Sequence, residues 1–318
     1  MNRKITKVCF IKADLDTMLA GFIMLDGVAA LEGTLPAQNV SDLIAGLEIT
    51  ALKESAEESL LCDRRVLCLE CGGSGRTAEL NFDHHGEGAA DVDGCAAQQA
   101  WHCWSAEHFL DPDVSAVMES LVEYTAQIDL GRGVPRRGGN NDNVTLAGLL
   151  SGMMYLVRGQ QERFVKGLEL LLSAASAMLR GRGACDNLRE WAQSEPTANL
   201  YLQEKARRMA QLQDESASAV TLRESPYKVM ALESALFGVH GLLRSKSADI
   251  SVAGDGRGHI SVASRPGLER VIARIQSALN ELEAGWGGPV GGTIIGSPRQ
   301  GSRLDTLSVA AVVCEVIG

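Results

Sequence analysis

The chain has 318 residues, 45% hydrophobic and 22% charged, with 4% aromatics and a formal net charge of −10. That length allows two ordinary domains, and the composition is that of a soluble globular protein with mainly aliphatic cores. The acidic balance argues against long nucleic acid as a partner, because phosphate contacts need Lys and Arg, and no apolar run approaches the roughly 18 residues of a membrane span.

In chain order, residues 5–11 (ITKVCFI) predict a strand, and the short apolar patch reads as that strand rather than as a signal peptide. Asp14 and Asp16 follow, and residues 18–31 have helical spacing, with Thr17 or Asp16 as the expected N-cap. Strand, acidic turn and helix open an α/β domain. A polar helix is expected over 51–61, a strand over 64–70 ending in Glu70, and a third strand over 77–83 ending in Asp83. Helices are predicted over 94–108, 112–127 (followed by Asp129), 144–180 and 185–193, and a Gly-, Arg- and Asn-rich loop over 131–143. A long charged helix over 197–219 connects to a second α/β unit, with a strand at 227–234, a hairpin over 248–267 turning at Gly254-Asp255-Gly256, a helix beyond it and a Gly-rich stretch. The expected layout is therefore α/β: a mainly parallel-sheet N-terminal domain over 1–195, a helical linker over 196–225, and a smaller α/β domain over 226–318.

The eight cysteines, with no secretory segment, predict reduced thiols and a cytoplasmic location. Cys68 and Cys71 form a CxxC without the second pair a zinc site needs. Their expected state is buried free thiol.

Carboxylates and imidazoles recur at the ends of the predicted elements: Asp14 and Asp16 after the first strand, Glu70 after another, Asp83-His84-His85 after the next, and Asp129 after a helix. In open α/β sheets the ligand crevice lies beyond the carboxyl ends of the strands. Singly, each Asp is an ordinary turn or cap residue. Gathered on one rim they would repel one another unless cations neutralise them. Together with two adjacent His they point to a divalent-metal site.

FDHHG at 82–86, with ADLD upstream at 13–16, resembles the DHH phosphoesterase superfamily of RecJ-type exonucleases, nano-RNases and cyclic-dinucleotide phosphodiesterases. The resemblance implies Mn²⁺ or Mg²⁺, one or two per chain, held by Asp14, Asp16, Glu70, His84 and Asp129. It implies Asp83 and His85 as catalytic residues, Asp83 orienting a neighbouring His and His85 facing the scissile phosphate. DGCAAQQAW at 93–101 is similar to the family's small-residue helix start, and GHISVASRPG at 258–267 to the strand of its DHH-associated C-terminal domain. That places Ser264 and Arg265 near substrate phosphates, with Arg299 and Arg303 as weaker candidates, while Lys12, two residues before Asp14, is a separate candidate to replace a cation's charge or contact phosphate. Trp286, Gly287, Gly288, Gly291 and Gly292 match the family's glycine loop, Trp286 as a base-stacking residue. The implied activity is hydrolysis of a small phosphodiester or phosphorylated nucleotide, such as a short oligonucleotide or cyclic dinucleotide, with the loop at 131–139 as a lid. The sequence also allows a homodimer.

Three departures stand out. Phe10 occupies the place of a metal-binding His, Glu70 that of an Asp, and Gly288 that of the loop's His. The segment between Glu70 and Asp83 is short for a crossover, so these strands were candidates for a different pairing. The departures motivate a second reading, a catalytically impaired phosphate- or nucleotide-binding regulator of the same fold. A pyrophosphatase-like enzyme fits less well, because Ser264-Arg265-Pro266 lacks the Lys of that subgroup's motif.

Overall fold

The computed structural model describes residues 5–33, 39–85, 94–130, 144–288, 291–298 and 300–318. The loop at 131–143, Gly86 and Arg299 lie outside them. The chain divides into two compact units, 1–205 and 206–318.

The first unit runs β1 (Lys7–Phe10), α1 (Leu15–Met24), α2 (Gly27–Leu31), α3 (Val40–Leu43), β2 (Glu48–Ala51), α4 (Glu58–Leu61), β3 (Val66–Leu69), β4 (Asn81–Phe82), α5 (Ala96–Ser105), α6 (Pro112–Asp129), α7 (Leu146–Leu156), α8 (Gln160–Leu179), α9 (Arg189–Ser194) and the start of α10 (Pro196–Glu215). Its four strands form an all-parallel sheet in the order β2-β1-β3-β4. Side chains alternate across such a strand. Val8 and Phe10 enter the main core, while Cys9 joins Cys68, Cys71, Leu61 and Val66 in a smaller cluster. Burial of both faces accounts for the nearly uninterrupted apolar run of β1.

The parallel α/β class is the one expected, and several elements differ in detail. The polar helix expected over 51–61 is instead edge strand β2 followed by the short α4. Its half-exposed EITA carries too weak an apolar alternation to announce a strand, and pairing to β1 decides it. The helix expected over 18–31 is broken at Asp26, which adopts a left-handed conformation (φ 62°). Asp14, rather than Thr17 or Asp16, caps α1 by accepting the Thr17 amide. The strand expected over 77–83 shrinks to β4, preceded by a 3₁₀ turn at Thr77–Glu79. β3 and β4 do pair in parallel, Cys68 opposite Asn81 and Leu69 opposite Phe82. The short crossover succeeds because Gly72 (φ 118°) and Gly73 (φ 80°) turn the chain without a helix.

Packing of this unit leaves no room at Gly152 on α7, where an added Cβ would lie 2.0 Å from the Tyr201 carbonyl oxygen of α10. Backbone cannot yield as a side-chain tip does. Gly152→Ala is therefore expected to cost about 1–3 kcal/mol by overpacking, read as a lower urea midpoint at unchanged slope.

The second unit contains β5 (Val220–Arg223), β6 (Val229–Glu233), α11 (Val239–Ser245), β7 (Ile250–Gly254), β8 (Ile260–Ser264), α12 (Glu269–Leu282), β9 (Ile294–Gly296) and α13 (Thr306–Val316). The sheet order is β5-β6-β7-β8-β9, with β6–β7 parallel and the other pairs antiparallel. The hairpin expected over 248–267 is β7–β8. Strand β5 falls in the segment expected as linker, and β9 in the segment expected as a glycine loop. Val229, Ala231, Ile250, Val252 and Val262 pack one sheet face against Ile272, Ile275 and Leu279 of α12 and Val309 and Val313 of α13. No described helix is long and apolar enough to cross a membrane.

Candidate metal centre

The parallel register brings the ends of β1, β3 and β4 to one rim of the first sheet. There the chain leaves each strand into Asp14, Glu70 and Asp83 respectively. Asp16, in the first turn of α1, is 1% exposed. Its Oδ2 accepts the Ala96 amide and its Oδ1 the Ala97 amide, both at 2.8 Å. The first turn of α5 thus fixes this carboxylate, an arrangement favoured by unpaired amides and the helix dipole. The remaining lone pairs of both oxygens stay available to a cation.

Glu70 has φ 48°, an uncommon conformation for a side-chain-bearing residue. Its Oε2 accepts the Thr17 hydroxyl at 2.7 Å. Its Oε1 lies 3.6 Å from His84 Nδ1 and 3.3 Å from His85 Nε2. His84 Nδ1 is also 3.8 Å from Asp16 Oδ2, and His84 Nε2 is 3.0 Å from Asp129 Oδ2. The two imidazoles contact each other at a centroid distance of 3.9 Å. Two triads therefore have ligand atoms within reach of a common ion: Glu70, His84, His85 and Asp16, His84, Asp129.

Two polar atoms in the cluster are buried with no hydrogen-bond partner, His84 Nδ1 and Asp129 Oδ2. The second is close to His84 Nε2, but the pair is not aligned as a hydrogen bond. Buried polar groups are nearly always satisfied, and a divalent cation would satisfy both. The donor set, carboxylate oxygens with imidazole and no thiolate, suits Mn²⁺ or Mg²⁺ better than a soft metal.

Electrostatics agree with that fit. Burial, reinforced by Glu70, pushes Asp14 up to about 7. Burial, reinforced by Asp129, pushes Asp16 up to about 6. Burial opposes protonation of His84, yet Asp129, Glu70 and Asp16 together raise it to about 9. Contact with Glu70 raises His85, against the burial that lowers it. Like charges confined in this way are relieved by a cation.

Asp83 has a different role from its neighbours. Its Oδ2 accepts the Gly72 amide at 2.6 Å and its Oδ1 the His85 amide at 2.8 Å. Its own carbonyl accepts the Gln99 side chain at 3.1 Å. Asp83 contacts the backbone of His85, and no hydrogen bond from it to an imidazole nitrogen is seen among the described residues. Phe10, where the resemblance would put a His, is fully buried and stacks on Phe164 of α8 at 4.8 Å. Lys12 is largely exposed, 3.6 Å from Asp14.

The sequence reading missed Thr17 as the partner of Glu70, the paired amides of Ala96 and Ala97, and Gln160, whose Oε1 accepts the Ala13 amide at 2.9 Å. The amides belong to backbone and leave only a weak trace, the small residues at the start of α5. Gln160 lies 147 positions from Ala13, and nothing local marks it.

The second-unit candidates depart further from expectation. Trp286 is 2% exposed and packed in the core, so it cannot stack on a base from solvent. Its neighbour Gly287 exchanges both backbone hydrogen bonds with Gly296, and these amides are engaged within the protein. Gly288 has a packing reason, since a Cβ there would lie 2.2 Å from the Ile294 carbonyl oxygen. Gly291 adopts φ 69°, and Gly292 next to it is partly buried. Ser264 is buried, and its hydroxyl donates to the Arg265 carbonyl at 3.0 Å, so it offers no hydroxyl to an outside phosphate. Arg265 remains half-exposed and pairs with Asp249 at 3.1 Å. Arg303 is exposed and pairs with Glu283 at 3.3 Å.

Fold and site define a class: an α/β chain that gathers acidic and imidazole groups at the carboxyl rim of a parallel sheet, with a second, mixed-sheet unit. No protein-family model and no curated protein sequence matches it. Solved structures similar to it include a DHH-domain protein described as a member of the s1p family of ribosomal proteins, 11% identical with a TM-score of 0.48, over 98% of this chain and 86% of that one. Another is exonuclease RecJ bound to manganese, 15% identical with a TM-score of 0.42, over 98% of this chain and 89% of that one. A third is an uncharacterized protein from Helicobacter pylori G27, 14% identical with a TM-score of 0.25, over 98% and 97%.

Proposed function

We propose that the chain is a DHH-type, divalent-metal-dependent phosphohydrolase acting on a small phosphodiester or phosphorylated nucleotide. The observation that carries this reading is the convergence of Asp16, Glu70, His84 and Asp129, with His84 Nδ1 and Asp129 Oδ2 buried and unsatisfied. Asp14, Asp16, Glu70, Asp129 and one nitrogen of His84 would hold one or two Mn²⁺ or Mg²⁺ ions. A neutral imidazole has one lone pair, so the first ion takes His84 and a second relies on carboxylates. When bound, such an ion supplies Lewis-acid charge stabilisation and acidifies a water.

The chain's own groups do the rest. The α5 amides hold Asp16 in place. Thr17 holds Glu70, and Asp83 pins the turn that carries His85. His85 is the more exposed imidazole of the pair. Contact of Nε2 with Glu70 favours the protonated ring, which is placed to donate from its other nitrogen to a phosphoryl or leaving-group oxygen. Lys12, largely exposed 3.6 Å from Asp14, is a candidate to contact a substrate phosphate.

The test is a phosphodiester and nucleotide panel with Mn²⁺ and Mg²⁺. His84→Ala is expected to lose at least about 100-fold in turnover, given that even outer partners of a metal are worth 10–100-fold. Asp83→Ala is expected to lose activity together with about 1–3 kcal/mol of stability, since two part-buried amides lose their acceptor. Activity untouched by either substitution refutes the site.

One observation favours a second reading. Phe10 removes a ligand and fills its place with the Phe164 stack, which suits a phosphate- or nucleotide-binding regulator with impaired catalysis. Less than one Mn²⁺ per chain, with nucleotide binding but no turnover, would select the regulator.

A further inference from the structure

Helix α8 of the first unit ends in a Schellman turn. The Gly181 amide bonds back to the Met178 carbonyl and the Arg182 amide to the Ala177 carbonyl, each at 2.9 Å, with Gly181 at φ 70°. The turn fixes the backbone on both sides of the glycine and brings Arg180 and Arg182 to the lining of a cleft of about 370 Å³, within the roughly 300–1,000 Å³ of small-ligand sites. Along α8 the cleft is lined by Glu169, Leu172, Ser173, Ser176 and Ala177, the spacing of one helix face. Trp191, Ser194 and Glu195, in and just after α9, complete it.

Both signs of charge stand unpaired there. Arg182 is partly buried, and among the described residues its guanidinium meets only the Ser194 hydroxyl, at 2.5 Å from Nη2. The direction of that bond is fixed, because a guanidinium only donates and Ser194 gives its own proton to the Trp191 carbonyl at 2.9 Å. The remaining guanidinium donors of Arg182 are unspent. Arg180 and Glu195 have no ion-pair partner among the described residues, and the Ser173 and Ser176 hydroxyls have no hydrogen bond. Glu169 differs, since Lys166 neutralises it at 2.8 Å. Charges drawn into a cleft without a counter-charge are costly until a ligand supplies one. Guanidinium forks match a carboxylate, and the Glu195 carboxylate matches a cation. Leu172 and the buried Ala177 and Trp191 give the same cleft an apolar flank.

We propose that the α8–α9 cleft binds a free α-amino acid with an apolar side chain, its carboxylate on Arg180 and Arg182 and its ammonium on Glu195. The site is separate from the metal centre. Helix α8 has 20 residues, a length of about 30 Å, and its other end carries Gln160, which reaches the Ala13 amide beside Asp14. The proposal therefore goes beyond the phosphohydrolase reading and does not rest on it.

The test titrates the full chain in EDTA by calorimetry, so its outcome is independent of the metal centre. L-leucine is compared with isocaproate, which lacks the ammonium, with isoamylamine, which lacks the carboxylate, and with inorganic phosphate, which offers an anion alone. L-leucine is expected to bind at least about tenfold more tightly than either single-charge analogue, the worth of one charge-assisted hydrogen bond. Arg180 is exposed and its guanidinium has no partner among the described residues, so Arg180→Ala leaves the fold intact. It is expected to weaken leucine and isocaproate about tenfold and to leave isoamylamine unchanged. Glu195→Gln is expected to do the converse, weakening leucine and isoamylamine and sparing isocaproate. No leucine binding at millimolar concentration, phosphate or isocaproate binding as tightly as leucine, or a loss shared equally by all ligands in either variant would each overturn the proposal. The phosphohydrolase reading fails separately, by absence of metal-dependent turnover.

Discussion

Asp16→Ala is expected to abolish divalent-cation binding and to lower metal-dependent turnover at least about 100-fold, while also destabilising the metal-free protein. The double effect follows from its position. Asp16 faces His84 and Asp129 on one side and accepts the Ala96 and Ala97 amides on the other. Alanine removes a ligand and leaves two buried amides at the start of α5 without an acceptor. Each orphaned amide costs about 1–3 kcal/mol. The partial offset is relief of a buried carboxylate whose ionisation is held back to about 6. A net loss of about 2 kcal/mol lowers the melting temperature by roughly 4–8 °C for a domain of this size. Glu70→Ala provides the contrast. Glu70 accepts one hydroxyl, from Thr17, which can turn to another acceptor. It is expected to lose metal and activity with little change in metal-free stability. Calorimetry and metal analysis on the two variants check the pair of expectations. Retention of full metal binding in Asp16→Ala refutes the assignment.

The second large effect is on pH. In the metal-free protein Asp14 titrates at about 7, Asp16 at about 6 and His84 at about 9, each above its ordinary value of 3.8, 3.8 and 6.5. A carboxylate raised on folding is no burden while protonated and becomes one as pH climbs between the two values. A raised histidine contributes its full stability below 6.5 and loses it between 6.5 and 9. All three have the same sign. Metal-free stability is expected to fall as pH rises from about 4 to about 9. A divalent cation replaces the protons and removes the conflict, so the thermal shift produced by Mn²⁺ is expected to grow over the same interval. At pH 7.5 binding must displace the His84 proton and the remaining part of the Asp14 proton. Titration calorimetry in two buffers of different ionisation enthalpy is expected to show release of about one proton per chain. No proton release at that pH, or a thermal shift that shrinks toward pH 9, would contradict a cation in contact with His84.

The sequence was most legible where chemistry and element ends coincide. Acidic and imidazole residues closing consecutive apolar runs are few in number and opposed to burial, so their placement is informative without coordinates. The parallel α/β layout was legible for a related reason, since β1 and β3 are apolar on both faces. The reading failed where short elements depend on distant partners. EITA becomes β2 by pairing with β1, and a two-residue β4 survives because Asn81 and Phe82 meet β3 across a glycine turn. Trp286 illustrates the same limit, because a tryptophan beside glycines reads as exposed until the helices of its unit are seen to cover it.

Residue type alone thus determined which groups can bind a cation and roughly where they leave the strands, because ionisable side chains resist burial wherever they occur. Only the tertiary structure decided which of their atoms remain unsatisfied. Asp83 is consumed by the Gly72 and His85 amides, whereas His84 Nδ1 and Asp129 Oδ2 are left without a hydrogen-bond partner. The two outcomes differ because hydrogen-bond satisfaction depends on directions set by backbone far away in the chain, such as the first turn of α5 closing on Asp16.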